Sequence, residues 1–464
     1  MRRIAAIAAA KAAAALSQRL KVGGGTALPG LLAERIDPDI VPEMARRLGQ
    51  GSIIVTGTNG KTTTARLLRG IVRAAGLGVV ANRAGSNLMR GIAAALAEAA
   101  RLDGGFAGAK RRLGVFEVDE ATVPEAARAL KPRLVLFTNL FRDQLDRYGE
   151  VEHVAALWRD AVRQLDRSAT VVLNADDPSI AGLAQVSPGP VLFYGVEDTS
   201  RGSGGLEHAT DARWCPSCGS ELAYSTVFYG HLGHWSCPTH CRVARPSASV
   251  VATRVELDAE GTSLAIALPG GEISAPLPLT GLYNAYNALA AVAAASALGF
   301  GTGAIARGLG SFTAAFGRQE RMNVGGRRVQ VILAKNPAGL NEVLRTITAG
   351  GADVDVALFL NDDIADGRDV SWIWDVDFDL LAGKARSLTV SGNRAWDMAL
   401  RLKYAGLDSL SQVEEDAAAA LRRALRATPE DGQLYVIPTY TAMLQVRELL
   451  ARWARRPAFW EAEK

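Results

Sequence analysis

The strongest chemical pattern in the sequence is the glycine-rich turn Gly57–Thr62, which reads Gly-Thr-Asn-Gly-Lys-Thr. Glycines let backbone N–H groups converge on phosphate oxygens, and the positive end of a following helix points at the same place. In such a turn the Lys61 ammonium reaches the β- and γ-phosphates, and the Thr62 hydroxyl suits Mg²⁺. An ordinary turn has no need of Lys-Thr at a helix start, so the pattern predicts a nucleoside triphosphate site.

Acidic residues follow a second apolar run. Glu117 lies near the end of the predicted strand 113–118, where a sheet edge presents side chains to a bound nucleotide. A carboxylate there can hold a second Mg²⁺, so Glu117 is the predicted magnesium ligand beside Thr62. Asp119 and Glu120 are interpreted, taken separately, as solvated acids at the strand end.

The four cysteines of the chain all lie between Cys215 and Cys241. Cys215 and Cys218 form one pair on a tight turn, and Cys237 begins a second pair after eighteen intervening residues. Thiolates paired in this way suit tetrahedral Zn²⁺, and scattered disulfides would not be so confined. The pattern predicts a structural zinc site, because four protein ligands leave no open position for water.

The fourth zinc ligand has two candidates. A Cys-x-x-Cys spacing would place it at position 240, which is His240, and Cys241 follows immediately. Cys241 is favoured slightly, because a set of four thiolates leaves no orphan cysteine, and His240 stays the alternative. His231 and His234 are interpreted as surface or packing residues.

Alternating strands and helices must position these groups. The apolar run Ser52–Val55 precedes the glycine-rich turn and a helical pattern follows it. Strands that alternate with helices indicate a parallel α/β sheet. Further strands are predicted at 113–118, 134–138, 171–174 and 191–194, with helices at 86–101 and 150–165.

A second α/β unit is predicted in the last third of the chain, with strands at 329–333, 357–360, 387–391 and 434–437. Before it, residues 249–277 alternate as β-structure and 281–310 read as Ala-rich helices. Gly325 and Gly326 stand among clustered arginines, so we expect a hinge at 318–328. The predicted domains are a helical lead-in at 1–48, a central nucleotide-binding domain at 49–317 with the cysteine insertion at about 208–245, and a C-terminal Rossmann-like α/β domain at 318–464.

Composition limits the class of protein. The chain has 464 residues, 48% of them hydrophobic and 22% charged, with a net charge of +4, which does not suggest a nucleic-acid binder. The Ala-rich N-terminus imitates a signal peptide, but Lys11 interrupts it, and residues 4–20 are interpreted as a helix that is packed or lies on a surface. The expected location is the cytoplasm, with contact to the inner face of the membrane left open.

Five segments together resemble motifs of the Mur ligases and folylpolyglutamate synthase. The glycine-rich turn resembles their nucleotide loop, and the other four follow in family order: Thr138–Gly149, Asn174–Asp177, the helix start Gly281–Asn287 and the arginine motif Phe316–Arg321. The resemblance spans residues 50 to about 340 and implies a Mur ligase-like central domain.

Three departures resemble the MurT branch of that family. Only about fifty residues precede the nucleotide loop, a cysteine insertion interrupts the central domain, and Ala334–Pro337 stands where relatives have Asp-Tyr-Ala-His-Asn-Pro. Ile332 thus occupies the place of the aspartate that contacts ribose in those relatives. The segment Asn361–Phe378 looks specific to the branch and extends the resemblance to nearly the whole chain.

The resemblance implies an ATP- and Mg²⁺-dependent reaction. The α-carboxylate of D-glutamate in the lipid II stem peptide would be phosphorylated, and ammonia would attack the acyl phosphate to give D-isoglutamine. Lys61, Thr62 and Glu117 would handle phosphate and magnesium, Asn284 would face the base, and Arg318 would close onto the phosphates. The implied ATP contacts from the loop are Gly57, Thr58, Asn59, Gly60, Lys61, Thr62 and Thr63.

The resemblance also implies a partner, because the chain has no cysteine outside the zinc pattern to serve as a glutaminase nucleophile. In the MurT branch a GatD-type glutamine amidotransferase subunit supplies ammonia, and an aspartate of the ligase completes its catalytic triad. Asp369 is the predicted aspartate, ahead of Asp366 and Asp375, with a solvated loop acid or helix cap as the alternative for each. Trp372 and Trp374 suit an interface or a core.

Two other functions remain open from the sequence. The first is another amino-acid ligase, similar to folylpolyglutamate synthase, against which the cysteine insertion and the segment Asn361–Phe378 argue. The second is a zinc-bearing scaffold that binds nucleotide as a switch, which the intact set of Lys61, Thr62, Glu117 and Arg318 disfavours.

Overall fold

The computed structural model describes residues 1–20, 27–83, 85–143, 151–202, 205, 210–239, 241–258, 261–312, 318–351, 353–409 and 411–454. Of the segments named above, Gln144–Gly149, His240 and Phe316–Gly317 lie outside the described residues, as does the side chain of Arg318.

A nine-stranded sheet organises the first part of the chain. Its strands are β1 (Ser52–Thr56), β2 (Gly78–Val80), β3 (Arg112–Glu117), β4 (Leu134–Phe137), β5 (Thr170–Asn174), β6 (Val191–Val196), β9 (Val250–Leu257), β10 (Thr262–Leu268) and β11 (Gly271–Leu277). Strands β7 (Ala223–Tyr229) and β8 (Leu232–Ser236) form a separate hairpin.

The order across this sheet is β11-β10-β9-β6-β5-β4-β1-β3-β2. All neighbouring pairs from β9 to β2 are parallel, and β10 and β11 complete one edge as antiparallel strands. The central strands β1 and β4 are buried along their whole length because helices cover both of their faces. The predicted parallel α/β sheet is therefore confirmed.

Ten helices of the described residues surround this sheet: α1 (Arg2–Leu20), α2 (Ala27–Ile36), α3 (Ile40–Ala45), α4 (Lys61–Ala74), α5 (Met89–Ala99), α6 (Val123–Leu130), α7 (Val151–Arg163), α8 (Pro178–Ala181), α9 (Leu282–Ala297) and α10 (Thr302–Gly310). One apolar core, which includes Leu68 and Leu289, lies under α4, α9 and α10. The other core, which includes Ile92 and Trp158, lies on the opposite face. Ile7 of α1 is fully buried in that second core, so the N-terminal helix is packed.

A six-stranded sheet follows, with strands β12 (Arg318–Val324), β13 (Arg327–Ile332), β14 (Val354–Phe359), β15 (Ala385–Ser391), β16 (Ser411–Val413) and β17 (Gln433–Pro438). Its order is β12-β13-β17-β14-β15-β16, and only β12 is antiparallel to its neighbour. The helices of this part are α11 (Pro337–Thr348), α12 (Ala395–Tyr404), α13 (Ala417–Ala427) and α14 (Tyr440–Trp453).

Gly325 and Gly326 do not form the expected hinge. Both have positive φ, 58° and 77°, and they make the two-residue turn between β12 and β13. Positive φ at both central residues is the conformation that a tight hairpin turn requires, and glycine adopts it without a steric penalty. The pair therefore belongs to the second sheet.

The candidate site lies at the carboxyl edge of the first sheet. Strand β1 runs between β3 and β4, so the loop after Thr56, the acid at Glu117 and the polar residue Thr138 meet at one place. Such crevices outside the carboxyl ends of parallel strands are where α/β proteins bind ligands. Across the described residues, none of the helices combines the length and the hydropathy that a membrane-spanning segment needs.

Candidate active site and metal centre

The glycine-rich turn leads directly into α4, which begins at Lys61. Gly57 has a φ of 135° and Gly60 a φ of 84°, and a Cβ at Gly60 would lie 1.8 Å from Asn287 Oδ1. No other residue type fits that position without moving Asn287. The turn therefore brings its backbone amides to the N-terminus of a fourteen-residue helix, which is the geometry of an anion site.

Lys61 is buried and folds back over the turn. Its Nζ donates to Glu120 Oε1 at 2.8 Å and to the Gly57 carbonyl oxygen at 2.5 Å. Glu120 is only 4% exposed, so its interpretation as a solvated strand-end acid is wrong, and Asp119, at 6% exposure, is buried as well. Burial raises the pKa of the Glu120 carboxyl, and the Lys61 ammonium opposes part of that rise.

Thr62 and Glu117 lie side by side at the start of α4 and the end of β3. The Thr62 hydroxyl donates to Glu117 Oε1 at 3.0 Å. Asn82 fixes the strand end, since its Oδ1 accepts from the Glu117 N–H at 3.0 Å and its Nδ2 donates to the Glu117 carbonyl at 2.8 Å. A hydroxyl and a carboxylate in contact are the hard oxygen donors that Mg²⁺ prefers, so these residues fit the ion.

A cleft of about 620 Å³, partly open to solvent, extends from the turn along the start of α9. Asn284 lines it and is buried; its Nδ2 donates to the Thr280 carbonyl at 2.8 Å, and its Oδ1 accepts from Asn287 at 3.1 Å. Ile332 stands in the lining of the same cleft, on the side formed by the second sheet.

Gln319 connects the second sheet to this cleft and was not singled out from the sequence. Its amide pairs with Thr280, accepting from the backbone N–H at 2.9 Å and donating to the carbonyl at 2.7 Å, and it also reaches the Tyr283 hydroxyl. Its φ of 58° lies in the left-handed region, which costs a residue with a side chain about 1–3 kcal/mol. Arg318 precedes it at the start of β12.

Polar contacts join the glycine-rich turn to the second part of the chain. Asn336 Nδ2 donates to Asn59 Oδ1 at 3.0 Å, and Asn336 Oδ1 accepts from Gly339 N–H at 2.9 Å, which caps α11. Lys335 Nζ forms an ion pair with Asp143, which is buried. These contacts hold the C-terminal sheet over the nucleotide edge of the first sheet.

The four cysteines converge around the β7–β8 hairpin. Their sulfur atoms all lie within 4.8 Å of one another. Cys218 Sγ is 3.5 Å from Cys237 Sγ and 3.4 Å from Cys241 Sγ, and Cys215 Sγ is 3.7 Å from Cys241 Sγ. A tetrahedral zinc site with Zn–S of about 2.3 Å separates its sulfurs by about 3.8 Å, so the cluster fits the ion.

The thiols of the cluster do not share one environment, since burial raises the pKa of the Cys215 thiol to about 11. Hydrogen bonds with Ser220 and Thr239 lower the pKa of the Cys218 thiol to about 5. His231 and His234 lie elsewhere: His231 is fully buried against Phe141, and His234 Nε2 is 2.8 Å from the Val196 carbonyl. Both histidines are therefore packing residues. Cys241 belongs to the described cluster by the position of its own sulfur atom.

The acidic segment after β14 presents its carboxylates in different ways. Asp369 is exposed and accepts from the Ser371 N–H at 2.8 Å, and its hydrogen bonds with Ser371 lower its pKa. Asp366 is buried and accepts from the Thr441 N–H at 2.8 Å, and burial raises its pKa. Asp375 pairs with Arg142 at 3.0 Å.

The sequence matches two family models. The model of the Mur ligase middle domain matches residues 55–214, and the model described as MurT ligase C-terminal matches residues 333–443. The first range contains the glycine-rich turn and Glu117, and the second contains the acidic segment and the whole of α11.

Two relatives of similar length match nearly the whole chain. The MurT subunit of lipid II isoglutaminyl synthase (glutamine-hydrolyzing) from Streptococcus pneumoniae is 34% identical over 93% of both chains. The subunit of the same name from Staphylococcus aureus is 31% identical over 96% of both chains.

Solved structures agree in fold. A pseudomurein peptide ligase type C from Methanothermus fervidus has a TM-score of 0.66 at 23% identity, covering 87% of this chain and 78% of its own. A MurF ligase from Thermotoga maritima, solved in complex with ADP, has a TM-score of 0.62 at 12% identity, with coverages of 90% and 84%. Because relatives more than 30% identical over nearly the whole chain are MurT subunits, the chain belongs to the MurT family of Mur ligases and is an ATP-dependent ligase.

Proposed function

We propose that this chain is the synthetase subunit of a lipid II isoglutaminyl synthase. It would use ATP to convert the α-carboxylate of D-glutamate in the lipid II stem peptide to the amide. The relatives that are 34% and 31% identical over nearly their full lengths carry that name, which supports the substrate. Because the acceptor is lipid-linked, the protein would work at the inner face of the membrane.

The proposed chemistry has two steps. A carboxylate oxygen attacks the γ-phosphorus of ATP, the bond to the β–γ bridging oxygen breaks, and ADP leaves. Ammonia then attacks the acyl carbon of the acyl phosphate, and inorganic phosphate leaves with the former carboxylate oxygen. Such phosphoryl transfer depends on alignment and charge stabilisation rather than on a protein nucleophile.

The contact between Thr62 and Glu117 at 3.0 Å, at the N-terminus of α4, is the observation that carries this proposal. These two oxygen donors would hold Mg²⁺, which neutralises phosphate charge when bound. Lys61 would exchange Glu120 for the β- and γ-phosphates. The backbone amides of Gly60 and Lys61 would bind phosphate oxygens, because those of Thr58 and Asn59 donate to Asn139. Asn284 would contact the base, and Arg318 would reach the phosphates from β12.

Replacing Lys61 tests the proposal. The Lys61→Ala variant should lose ammonia-dependent amidation of lipid II by at least about 100-fold, because the triphosphate loses its main cationic contact. Binding of the amidotransferase subunit should be unchanged. The exposed Lys110→Ala variant is the control and should keep full activity. Unchanged turnover in Lys61→Ala would refute the phosphate-loop mechanism.

Ammonia would come from a GatD-type amidotransferase subunit docked on the C-terminal part. An exposed apolar surface next to the acidic segment supports this location. Trp396, Leu400 and Tyr404 follow one another at four-residue spacing along α12 and are 65%, 49% and 73% exposed. Trp374, 47% exposed, contacts Tyr404 with ring centroids 5.5 Å apart. Contiguous exposed aromatic groups of this kind mark protein interfaces.

Asp369, the carboxylate proposed for the partner's triad, belongs to the acidic segment that borders this surface. Arg394, at the start of α12, pairs with Asp362 at 2.9 Å, and Trp374 contacts the other end of the helix. The two ends of the segment 362–374 therefore contact the two ends of α12, and Asp369 lies between them in the sequence. An exposed, ionised carboxylate at Asp369 suits the task of orienting a histidine in another subunit.

We further propose that Cys215, Cys218, Cys237 and Cys241 hold one structural Zn²⁺. The sulfur separations of 3.4–3.7 Å support a four-thiolate set, and His240 remains the alternative ligand to Cys241. The ion would fix the hairpin to the first sheet, where Trp235 Nε1 donates to the Ala175 carbonyl at 3.0 Å.

A further inference from the structure

The nucleotide cleft has one charged side chain among its described lining residues, and it is Glu342 of α11. We propose that the Glu342 carboxylate binds the ribose hydroxyl groups of ATP. The inference rests on the proposed nucleotide site and adds to it a residue that selects ribonucleotides over deoxyribonucleotides.

The direction of α11 carries the first step. At its start, a Cβ at Gly339 would lie 4.0 Å from Asn59 Oδ1, so this end of the helix faces the glycine-rich turn. Two turns later, a Cβ at Gly281 would lie 3.0 Å from Thr346 Oγ1, so that end faces the start of α9. The helix therefore runs from the proposed phosphate end of the cleft to the proposed base end.

The spacing along the helix carries the second step. Gly339, Glu342 and Thr346 are separated by three and four residues and share one face of α11. At about 1.5 Å of rise per residue, Glu342 lies about 4–5 Å beyond Gly339 and about 6 Å before Thr346. In a nucleotide, the ribose is the part that joins the phosphates to the base, and Glu342 stands at the matching position.

The chemistry of Glu342 carries the third step. The residue is 5% exposed, and its Oε1 lies 3.3 Å from Arg345 Nη1. A carboxylate has about four acceptor positions, so it can accept from two vicinal hydroxyls in addition to its contacts within the chain. Ribose hydroxyls donate, whereas phosphate oxygens would be repelled by the same charge.

Among the described residues that line the cleft, Glu342 is the charged one and so the strongest acceptor for ribose hydroxyls. Ile332, which also lines the cleft, has no polar side-chain atom. At the base end the polar groups are the amides of Asn284 and Gln319, which are engaged with Thr280. Hydrogen bonds to a charged group are stronger than those to neutral amides, so Glu342 should dominate ribose recognition.

Equilibrium binding of nucleotides to the full chain, with Mg²⁺ present, tests the assignment. The wild-type chain should bind ATP about 10- to 100-fold more tightly than 2′-deoxyATP or 3′-deoxyATP, as expected for a charge-assisted hydrogen bond. Glu342→Leu should bind ATP as weakly as the deoxynucleotides and lose the discrimination. Glu342→Gln keeps one acceptor oxygen, so its affinity for ATP should lie between those of the wild-type chain and Glu342→Leu. It provides the test if the leucine variant does not fold.

The control is Glu448→Gln, which removes a surface acid paired with Arg452 on another helix of the same domain. It should leave all the dissociation constants unchanged. Equal binding of ATP and both deoxynucleotides by the wild-type chain overturns the assignment while leaving the proposed ligase activity standing. Altered discrimination between ATP and GTP in Glu342→Gln, with ribose discrimination intact, overturns it by assigning Glu342 to the base. Absence of any nucleotide binding by the wild-type chain refutes the proposed function itself.

Discussion

Asp369 differs from its acidic neighbours in what its carboxylate contacts. Asp366 is buried against the start of α14, and Asp375 is paired with Arg142, so both are engaged within the chain. Asp369 is exposed, and its described hydrogen bonds go to Ser371, two residues away. These bonds lower its pKa, so the carboxylate stays ionised near neutral pH, as a histidine-orienting group must.

The Asp369→Asn variant should lose glutamine-dependent amidation while keeping ammonia-dependent amidation. The amide cannot stabilise a histidine cation in the partner subunit, so the loss should reach about 100-fold or more. Kinetics of the reconstituted complex with either nitrogen source measure the split. Asp379→Asn is the control, because Asp379 is an acid ten residues further on, in the short helix Phe378–Leu381. Parallel loss with both nitrogen sources would remove Asp369 from the triad.

The sequence pattern missed residues whose role depends on contacts with segments far away in the sequence. Glu120 was interpreted as solvated, yet Lys61 and Trp158 cover it, with Trp158 Nε1 donating to its carbonyl at 2.9 Å. Asn336 and Glu342 belong to a helix almost three hundred residues after the turn that they approach. A local pattern carries no information on such pairs, whereas the glycine-rich turn is specified by consecutive residues.

Among the elements, the cysteine hairpin has the smallest apolar core. Among the described residues, five buried ones form it: Cys215, Leu222, Trp235 and Cys237 from the cysteine region, and Ala181 from α8. A unit with so little buried surface depends on a cross-link or a metal for its structure.

Zinc content and proteolysis test this dependence. Cys218→Ser and Cys241→Ser should each lose about one bound zinc per chain and expose residues 210–245 to limited proteolysis. His240→Ala should keep both the zinc and the protection. Ser217→Ala, within the first cysteine pair, is the matched control. A wild-type chain without zinc, or zinc loss in His240→Ala alone, would contradict the four-thiolate assignment.

The longer strands were predictable because buried parallel strands are continuous apolar runs, as β3, β4 and β5 show. The strands β2 and β16 have three residues each, too few for a periodic pattern. The expected hinge at Gly325 and Gly326 is wrong because consecutive glycines signal a hairpin turn and a linker equally well.

For the whole molecule, the decisive contacts are those between the two sheets. The Asn59–Asn336 pair, the Lys335–Asp143 pair and the Gln319 amide all lie around the nucleotide cleft. Closure of the two parts over ATP is thus expected to use residues that also line or cap the site, which links domain geometry to nucleotide affinity.

The Asn336→Ala variant loses a hydrogen bond to the glycine-rich turn. Because one such bond contributes about 0.5–1.5 kcal/mol, the KM for ATP should rise about 2- to 10-fold. The change also removes the cap of α11, so a cap-only control is required. Asp416→Ala provides it, since Asp416 caps α13 by accepting from the Ala419 N–H at 2.7 Å. Both variants should lose similar stability, and only Asn336→Ala should change the KM. An equal shift in KM for both would assign the effect to stability.

The buried pair of Lys61 and Glu120 has a consequence for the thermodynamics of ATP binding. If Lys61 moves to the triphosphate, Glu120 loses the cation that most lowers its pKa, while Asp119 and Asp143 continue to raise it and Lys335 alone opposes them. The carboxyl should then take up a proton as the nucleotide enters, so affinity should weaken as pH rises. Titration calorimetry in buffers of different ionisation enthalpy would register that uptake, and Glu120→Gln should abolish it.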